Sequence, residues 1–206
     1  MMRRETKGRA ASWSNNPTPS LPTREGEKTS IVNVLYFLLV ITMLSIIAAV
    51  AENNALGKGG DLLCHLPNDL KHFKATTLGA PVIMGSHTYL SLPRRPLPKR
   101  QNIVITARDA ALFEGAEVAR SLQEALHITE DAPEVFIIGG GMVYREALPL
   151  ADKLYLTHIH HAWEDADTFF PTLSPTDWQE ISREEHPADE QHAYPYTFAT
   201  YLRKEQ

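Results

Sequence analysis

Leu62-Leu63-Cys64-His65-Leu66-Pro67-Asn68-Asp69-Leu70-Lys71-His72-Phe73-Lys74 is the stretch from which the rest of the chain becomes readable. Proline suits the first position of a helix, where its missing N–H costs nothing, so a loop is expected to turn into a helix at Pro67. Asp69 then falls in the first turn, and Phe73, four residues on, shares its face. Leu66, Leu70 and Phe73 continue that face, while Lys71, His72 and Lys74 fall largely on the other side. A carboxylate on an otherwise apolar face needs a partner, because burying an unpaired charge is costly. Alone, such an aspartate is most often a helix-start residue favoured by the macrodipole. The surrounding sequence argues for more.

From Met43 onward short apolar runs alternate with helical patterns, which argues an α/β protein with a mostly parallel sheet. Leu44–Val50 is a continuous apolar run of the kind a fully buried central strand shows. Pro81–Gly85, Asn102–Thr106 and Glu134–Ile138 are β-branched runs bounded by turn residues. Lys153–His160 reads as a further strand, and Trp178–Glu185 with Tyr194–Leu202 as an antiparallel pair. Helices are expected over Ser121–Ile128, capped by Ser121 with Glu124 three residues on, and over Gly141–Leu148. Gly139-Gly140-Gly141 thus ends a strand and opens a helix, where backbone amides can approach a pyrophosphate. Without a P-loop lysine or a full Gly-x-Gly-x-x-Gly pattern, the triplet by itself reads first as a tight turn. His87 and Thr88 follow Gly85 at another helix start, a second place for a phosphate.

Five segments stand in a telling order: Leu66-Pro67-Asn68-Asp69-Leu70 with Phe73; Pro81-Val82-Ile83-Met84-Gly85 with His87-Thr88; Arg95-Pro96-Leu97-Pro98 with Arg100-Gln101-Asn102-Ile103; Ile138-Gly139-Gly140-Gly141-Met142-Val143-Tyr144; and Leu154-Tyr155-Leu156-Thr157-His158-Ile159. In that order and spacing the chain resembles the dihydrofolate reductase family, from about Met43 to its end. The resemblance implies a three-layer α/β fold with a mostly parallel central sheet of about eight strands, an antiparallel C-terminal strand and about four flanking helices. It implies a cytoplasmic, monomeric enzyme whose partners are NADPH and 7,8-dihydrofolate.

Carried over residue by residue, Asp69 would hold the 2-amino group and N3 of the pterin, with the Thr157 hydroxyl on its carboxylate and Leu62 covering the nicotinamide. An amidine-like edge presents two parallel donors, which suits a fixed carboxylate. Burial raises the pKa of such a group and a helix N-terminus lowers it, a balance the sequence leaves open. Ile47, Phe73, Leu92 and Arg100 would complete the folate side, Arg100 clamping the α-carboxylate of the glutamate tail; Arg94 and Arg95 compete for that role. Ala49, Leu56, Gly57, Gly85, His87, Thr88, Thr106, Arg108, Ile138, Gly139, Gly140, Gly141, Met142, Val143 and Tyr144 would neighbour the cofactor. In the family the first two glycines of the triplet are joined by a cis peptide bond. Asn54–Leu63 resembles the family's mobile loop, with Gly57, Gly59 and Gly60 giving it freedom.

Two positions depart from the family. Ser86 stands where many members carry a basic residue near the 2′-phosphate, so Thr106 and Arg108 are expected to take over, arginine being suited by its fixed fork of donors. Cys64 stands where tryptophan is usual, which alters the surroundings of the carboxylate. A nucleophilic role for Cys64 lacks a paired base.

A length of 206 residues suits one domain with an ample core, and 43% hydrophobic content is ordinary for a soluble protein. One cysteine permits no internal disulfide. From Met43 on, 14 basic against 22 acidic residues leave a net charge of −8, which gives no electrostatic reason to expect nucleic acid. Residues 1–30 are polar, Pro-rich and charged, a composition expected to be disordered. Ile31–Ala51 is a run of 21 uncharged residues and reads locally as a membrane span or signal anchor. Its second half is the proposed first strand, so translation is expected to start naturally at Met43, with residues 1–42 an upstream or dispensable extension and no membrane partner unless 31–51 is a real span. His158, His160 and His161 bring at most two rings to one strand face, and no metal is expected. Two rivals remain: a pyrimidine reductase of riboflavin synthesis on the same fold, and a membrane-tethered, non-catalytic nucleotide-binding module.

Overall fold

A computed structural model describes residues 42–205. Its centre is β1 (Met43–Ala51), flanked in parallel by β7 (Glu134–Ile137) and β8 (Lys153–Ile159). Outward from β7 follow β4 (Val82–Gly85), β5 (Asn102–Ile105) and β6 (Glu117–Ala119), each parallel to its neighbour. On the other side β11 (Tyr196–Arg203) runs antiparallel to β8, and β10 (Trp178–His186) antiparallel to β11. The eight-stranded order is therefore β10-β11-β8-β1-β7-β4-β5-β6. Expected strand limits hold to within a residue or two. β6 escaped notice because three residues carry no readable period.

Alternation along β1 divides the core between two faces. Leu44, Ile46, Ala48 and Val50 join Ile83, Ile103, Val135 and Leu154 on one face. This face is covered by α3 (Leu122–Ile128) and α4 (Gly141–Ala147), through Leu122, Ala125, Val143 and Ala147. Ile47 joins Val82, Met84, Val104 and Phe136 on the other, under α1 (Pro67–Thr77) and α2 (Ser86–Ser91), which contribute Phe73 and Tyr89. Helices on both faces make three layers. Ser121 caps α3 as expected, accepting from the Glu124 amide at 3.1 Å, while Glu124 Oε2 takes the amide of Arg120, one residue before the cap.

The segment Asn54–Leu63, expected as a free loop, is a hairpin of β2 (Ala55–Lys58) and β3 (Asp61–Leu62), and β2 also pairs with β9 (Thr168–Phe169). Gly59 and Gly60 turn it at φ 61° and 90°, the left-handed conformation that glycine adopts without strain. Residues 43–51 of the apolar run lie in β1, inside the sheet, and no helix among the described residues is long and apolar enough to cross a membrane. The expectations for residues 1–41 lie outside the described residues.

Candidate active site

Helix α1 starts at Pro67 as expected, and Asp69 stands in its first turn. Thr157, 2% exposed on β8, donates its hydroxyl to Asp69 Oδ1 at 2.6 Å. Burial pushes the Asp69 carboxyl above its ordinary pKa; the Thr157 bond and nearby His72 oppose that shift without cancelling it. The balance left open by the sequence is thus settled by desolvation. One reading of α1 needs correction. Leu70 is 45% exposed and stands at the mouth of the cleft beside Asp69, while His72 is half-buried, stacked on Phe198 at 4.3 Å. The helix thus buries Phe73 and Thr77 against the sheet while Leu70 is exposed beside Asp69, so its faces do not divide into buried and solvated halves as the sequence suggested.

Phe73 and Leu92 pack with Ile47 in the second core. Arg100 reaches this wall: its guanidinium lies 5.7 Å from the centre of the Phe73 ring, and Nη1 donates to Thr77 Oγ1 at 2.9 Å. Arg94 and Arg95 are exposed, and Arg95 Nη1 donates to the Leu90 carbonyl at 2.6 Å. Of the three arginines, Arg100 is the one held against α1.

At the C-terminal end of β7, the Gly139–Gly140 peptide is cis and Gly139 has φ 121°. The Gly85 amide donates to the Gly139 carbonyl at 2.8 Å, joining the ends of β4 and β7. A Cβ on Gly140 would stand 3.3 Å from Thr88 Oγ1, and one on Gly141 would stand 3.1 Å from Thr168 Cγ2, so any larger residue here would crowd its neighbours. Tyr144 is buried and donates its hydroxyl to the Ile47 carbonyl at 2.8 Å, tying α4 to β1. Ile138 and Val143 are buried, whereas Met142 is 82% exposed and His87 is exposed. Neither α2 nor α4 has a side-chain cap at its start.

Near Ser86 the expected substitutes are present: the Thr106 hydroxyl accepts from the Arg108 amide at 3.1 Å. Sequence reasoning missed a third residue. Arg120 Nη1 donates to the carbonyls of Thr106 and Arg108, both at 2.9 Å, so its guanidinium brackets that turn. The signal was Arg120's place just after β6, beside β5, which becomes visible only once β6 is known.

The hairpin presents Leu56, half-buried, and Leu62, 69% exposed, to the cleft, with Ala49 behind them. Gly57 has no room for a side chain, since a Cβ there would lie 2.7 Å from the Asp61 carbonyl oxygen. Asp167 Oδ2 accepts from the Gly59 amide at 2.7 Å and Lys58 pairs with Asp165, so the hairpin is tethered to the segment before β9. Cys64 also lines the cleft; burial, with Asp69 nearby, pushes its thiol up to about 11, which keeps it protonated at neutral pH. The three histidines go separate ways: His158 Nε2 meets the Tyr201 hydroxyl, His160 Nε2 meets Thr197 Oγ1, and His161 stacks on Tyr194. Of the three, only His160 is exposed; His158 and His161 are half-buried.

A carboxylate in an apolar wall, together with a glycine cradle at the C-terminal ends of parallel strands, marks a nucleotide-using α/β enzyme. The family model described as dihydrofolate reductase matches residues 43–203. Dihydrofolate reductase type 3 of Salmonella typhimurium is 49% identical over 162 residues, covering 79% of this chain and 99% of that one. The dihydrofolate reductase of Bacillus subtilis strain 168 is 43% identical over 162 residues, covering 79% and 95%. The solved structure of dihydrofolate reductase from Enterococcus faecalis, in complex with NADP(H) and RAB-propyl, superposes with a TM-score of 0.73 at 37% identity and covers 79% of this chain and 97% of that one. The chain belongs to the dihydrofolate reductase family.

Proposed function

We propose that the protein reduces 7,8-dihydrofolate to 5,6,7,8-tetrahydrofolate with NADPH, and that Asp69 anchors the pterin. The observation that carries the site reading is the Asp69–Thr157 pair, held at 2.6 Å with Asp69 in the wall of the cleft. Bound NADPH supplies the hydride. The chain's part is binding, orientation and exclusion of water.

The residues present fit such a cofactor: Gly139 has φ 121°, and a Cβ at Gly140 or Gly141 would crowd Thr88 or Thr168, so glycine suits the triplet and leaves its backbone uncovered by side chains. Thr106, Arg108 and Arg120 form the cationic turn that suits a 2′-phosphate in place of the basic residue missing at Ser86. Ala49, Leu56 and Leu62 close the nicotinamide side against water. On the folate side, Asp69 accepts the two parallel donors of the pterin edge, Ile47, Phe73 and Leu92 pack the ring and its linker, and Arg100 meets the glutamate α-carboxylate. In its ionised form the Asp69 carboxylate stabilises positive charge on the bound pterin, which favours protonation at N5.

Dependence on reduced NADPH supports a cytoplasmic location. The Leu66-Pro67-Asn68-Asp69-Leu70 helix favours a pterin over the pyrimidine of the riboflavin-pathway reductases. Purified protein beginning at Met43, assayed for loss of NADPH absorbance with and without dihydrofolate, tests the reading. Turnover that depends on dihydrofolate is expected; a folded protein that binds NADPH and turns nothing over would overturn it.

A further inference from the structure

We propose that His192 is a positioning residue for Asp69: from the segment between β10 and β11 it supplies the side-chain cap that helix α1 lacks within its own sequence. The proposal rests on Asp69 as the pterin anchor.

The first turn of an α-helix leaves its amides without intrahelical partners. Leu66 occupies the N-cap of α1 and makes no side-chain cap, and Pro67 has no amide, so Asn68 carries the first free N–H. That N–H donates to His192 Nε2 at 3.3 Å, across 124 positions of sequence. His192 is 1% exposed, and its Nδ1 lies 2.7 Å from Asp189 Oδ1. The same carboxylate oxygen takes the amides of Gln191 and His192, both at 2.8 Å. A carboxylate only accepts, so Nδ1 carries the hydrogen and the Nε2 lone pair is turned towards Asn68. The tautomer is fixed by its partners.

A second bond sits beside the first. Asn68 Nδ2 donates to the Tyr196 hydroxyl at 2.9 Å, and Tyr196, 1% exposed, packs against the His192 ring at 5.2 Å. Asp69 is the next residue along. Tyr196 opens β11, the strand that pairs Phe198 with Thr157 of β8. The backbone that carries Asp69 and the hydroxyl that binds its carboxylate are therefore referred to the same pair of strands. A rotation of the first turn of α1 would move Asp69 Oδ1 away from Thr157 Oγ1 and out of register with a pterin edge.

Two variants and one spectroscopic measurement test this. His192→Phe keeps a ring against Tyr196 and removes the acceptor; His192→Gln keeps an acceptor at similar reach. For His192→Phe the expected result is a kcat/KM for dihydrofolate lower by about tenfold, chiefly through KM, with the Kd for NADPH unchanged. His192→Gln is expected to recover most of that loss. In the unaltered protein, nitrogen-15 NMR of labelled histidine is expected to show His192 with Nδ1 protonated and Nε2 bare, a result that does not depend on any variant folding.

Nε2 protonated at neutral pH would overturn the proposal. So would an unchanged dihydrofolate KM in His192→Phe, or equal weakening towards both ligands, which is the mark of general destabilisation. Asp69→Asn, run alongside, separates the two readings. If it abolishes turnover while His192→Phe leaves KM alone, only the role of His192 fails; if Asp69→Asn keeps full turnover, both fail.

Discussion

Replacing Thr157 with valine removes a hydroxyl and leaves volume almost unchanged at a position only 2% exposed. The loss is the 2.6 Å bond to Asp69 Oδ1. A hydrogen bond to an ionised group contributes about 1.5–3 kcal/mol net. A domain of this size loses roughly 2–4 °C of Tm per kcal/mol, so a drop of about 3–12 °C is expected where Asp69 is ionised. The deficit depends on pH, with a definite sign. Burial holds the Asp69 pKa above the ordinary carboxylate value in the folded chain. The native state then binds this proton more tightly than the unfolded state, and Asp69 erodes stability as pH rises from the ordinary carboxylate range through its folded pKa. Thr157 works against that erosion; without it the folded pKa rises further and the penalty at neutral pH grows. In acid, where Asp69 is neutral in both states, the deficit shrinks to the roughly 0.5–1.5 kcal/mol of a neutral bond. Paired thermal melts from about pH 4 to about pH 8 measure the difference, with dihydrofolate KM read at neutral pH. A deficit of the same size at every pH, or none at all, refutes the reasoning.

Three further outcomes follow from the same geometry. Arg100→Ala is expected to raise the KM for dihydrofolate by about tenfold or more while leaving that of a dihydropterin without a glutamate tail unchanged, since the bidentate partner is lost only by the former; equal effects on both substrates would place Arg100 outside the tail site. Arg120→Ala is expected to weaken NADPH by about tenfold and NADH little, a ratio read from initial rates with each cofactor; an equal loss for both would make it a structural residue of the β5 turn. Gly57→Ala drives a Cβ to 2.7 Å from the Asp61 carbonyl oxygen, so the hairpin must shift; both Tm and, at a temperature where the variant is folded, kcat are expected to fall, and a wild-type kcat would remove the hairpin from the closure of the cleft.

Some of this was legible in the sequence for clear physical reasons. Leu44–Val50 announces a buried strand because both its faces are covered, and Pro67 with Asp69 announces a helix start because each residue type is favoured at that place. Ser121 and Glu124 fix the start of α3 through bonds only three residues long. What stayed hidden depends on partners far away in the chain. The pairing of Ala55–Lys58 with Thr168–Phe169 has no local period, so the hairpin read as a loop. His72 looked solvated until Phe198 was brought under it. His192 lay outside every motif, because its importance comes from an amide 124 positions away. Arg120 joined the turn after β5 only when β6 placed it there. Local rules found the carboxylate and the glycines; tertiary contacts supply what holds them.

The central claim is that a buried carboxylate at Asp69 anchors the substrate for reduction, and Asp69→Asn tests it most directly. The amide keeps the shape and removes the charge. The variant is expected to bind NADPH as the parent does, to melt no lower at neutral pH because a costly buried charge is gone, and to lose dihydrofolate-dependent NADPH oxidation by about a hundredfold or more. Turnover equal to that of the parent, from a variant folded and saturated with NADPH, would contradict the account.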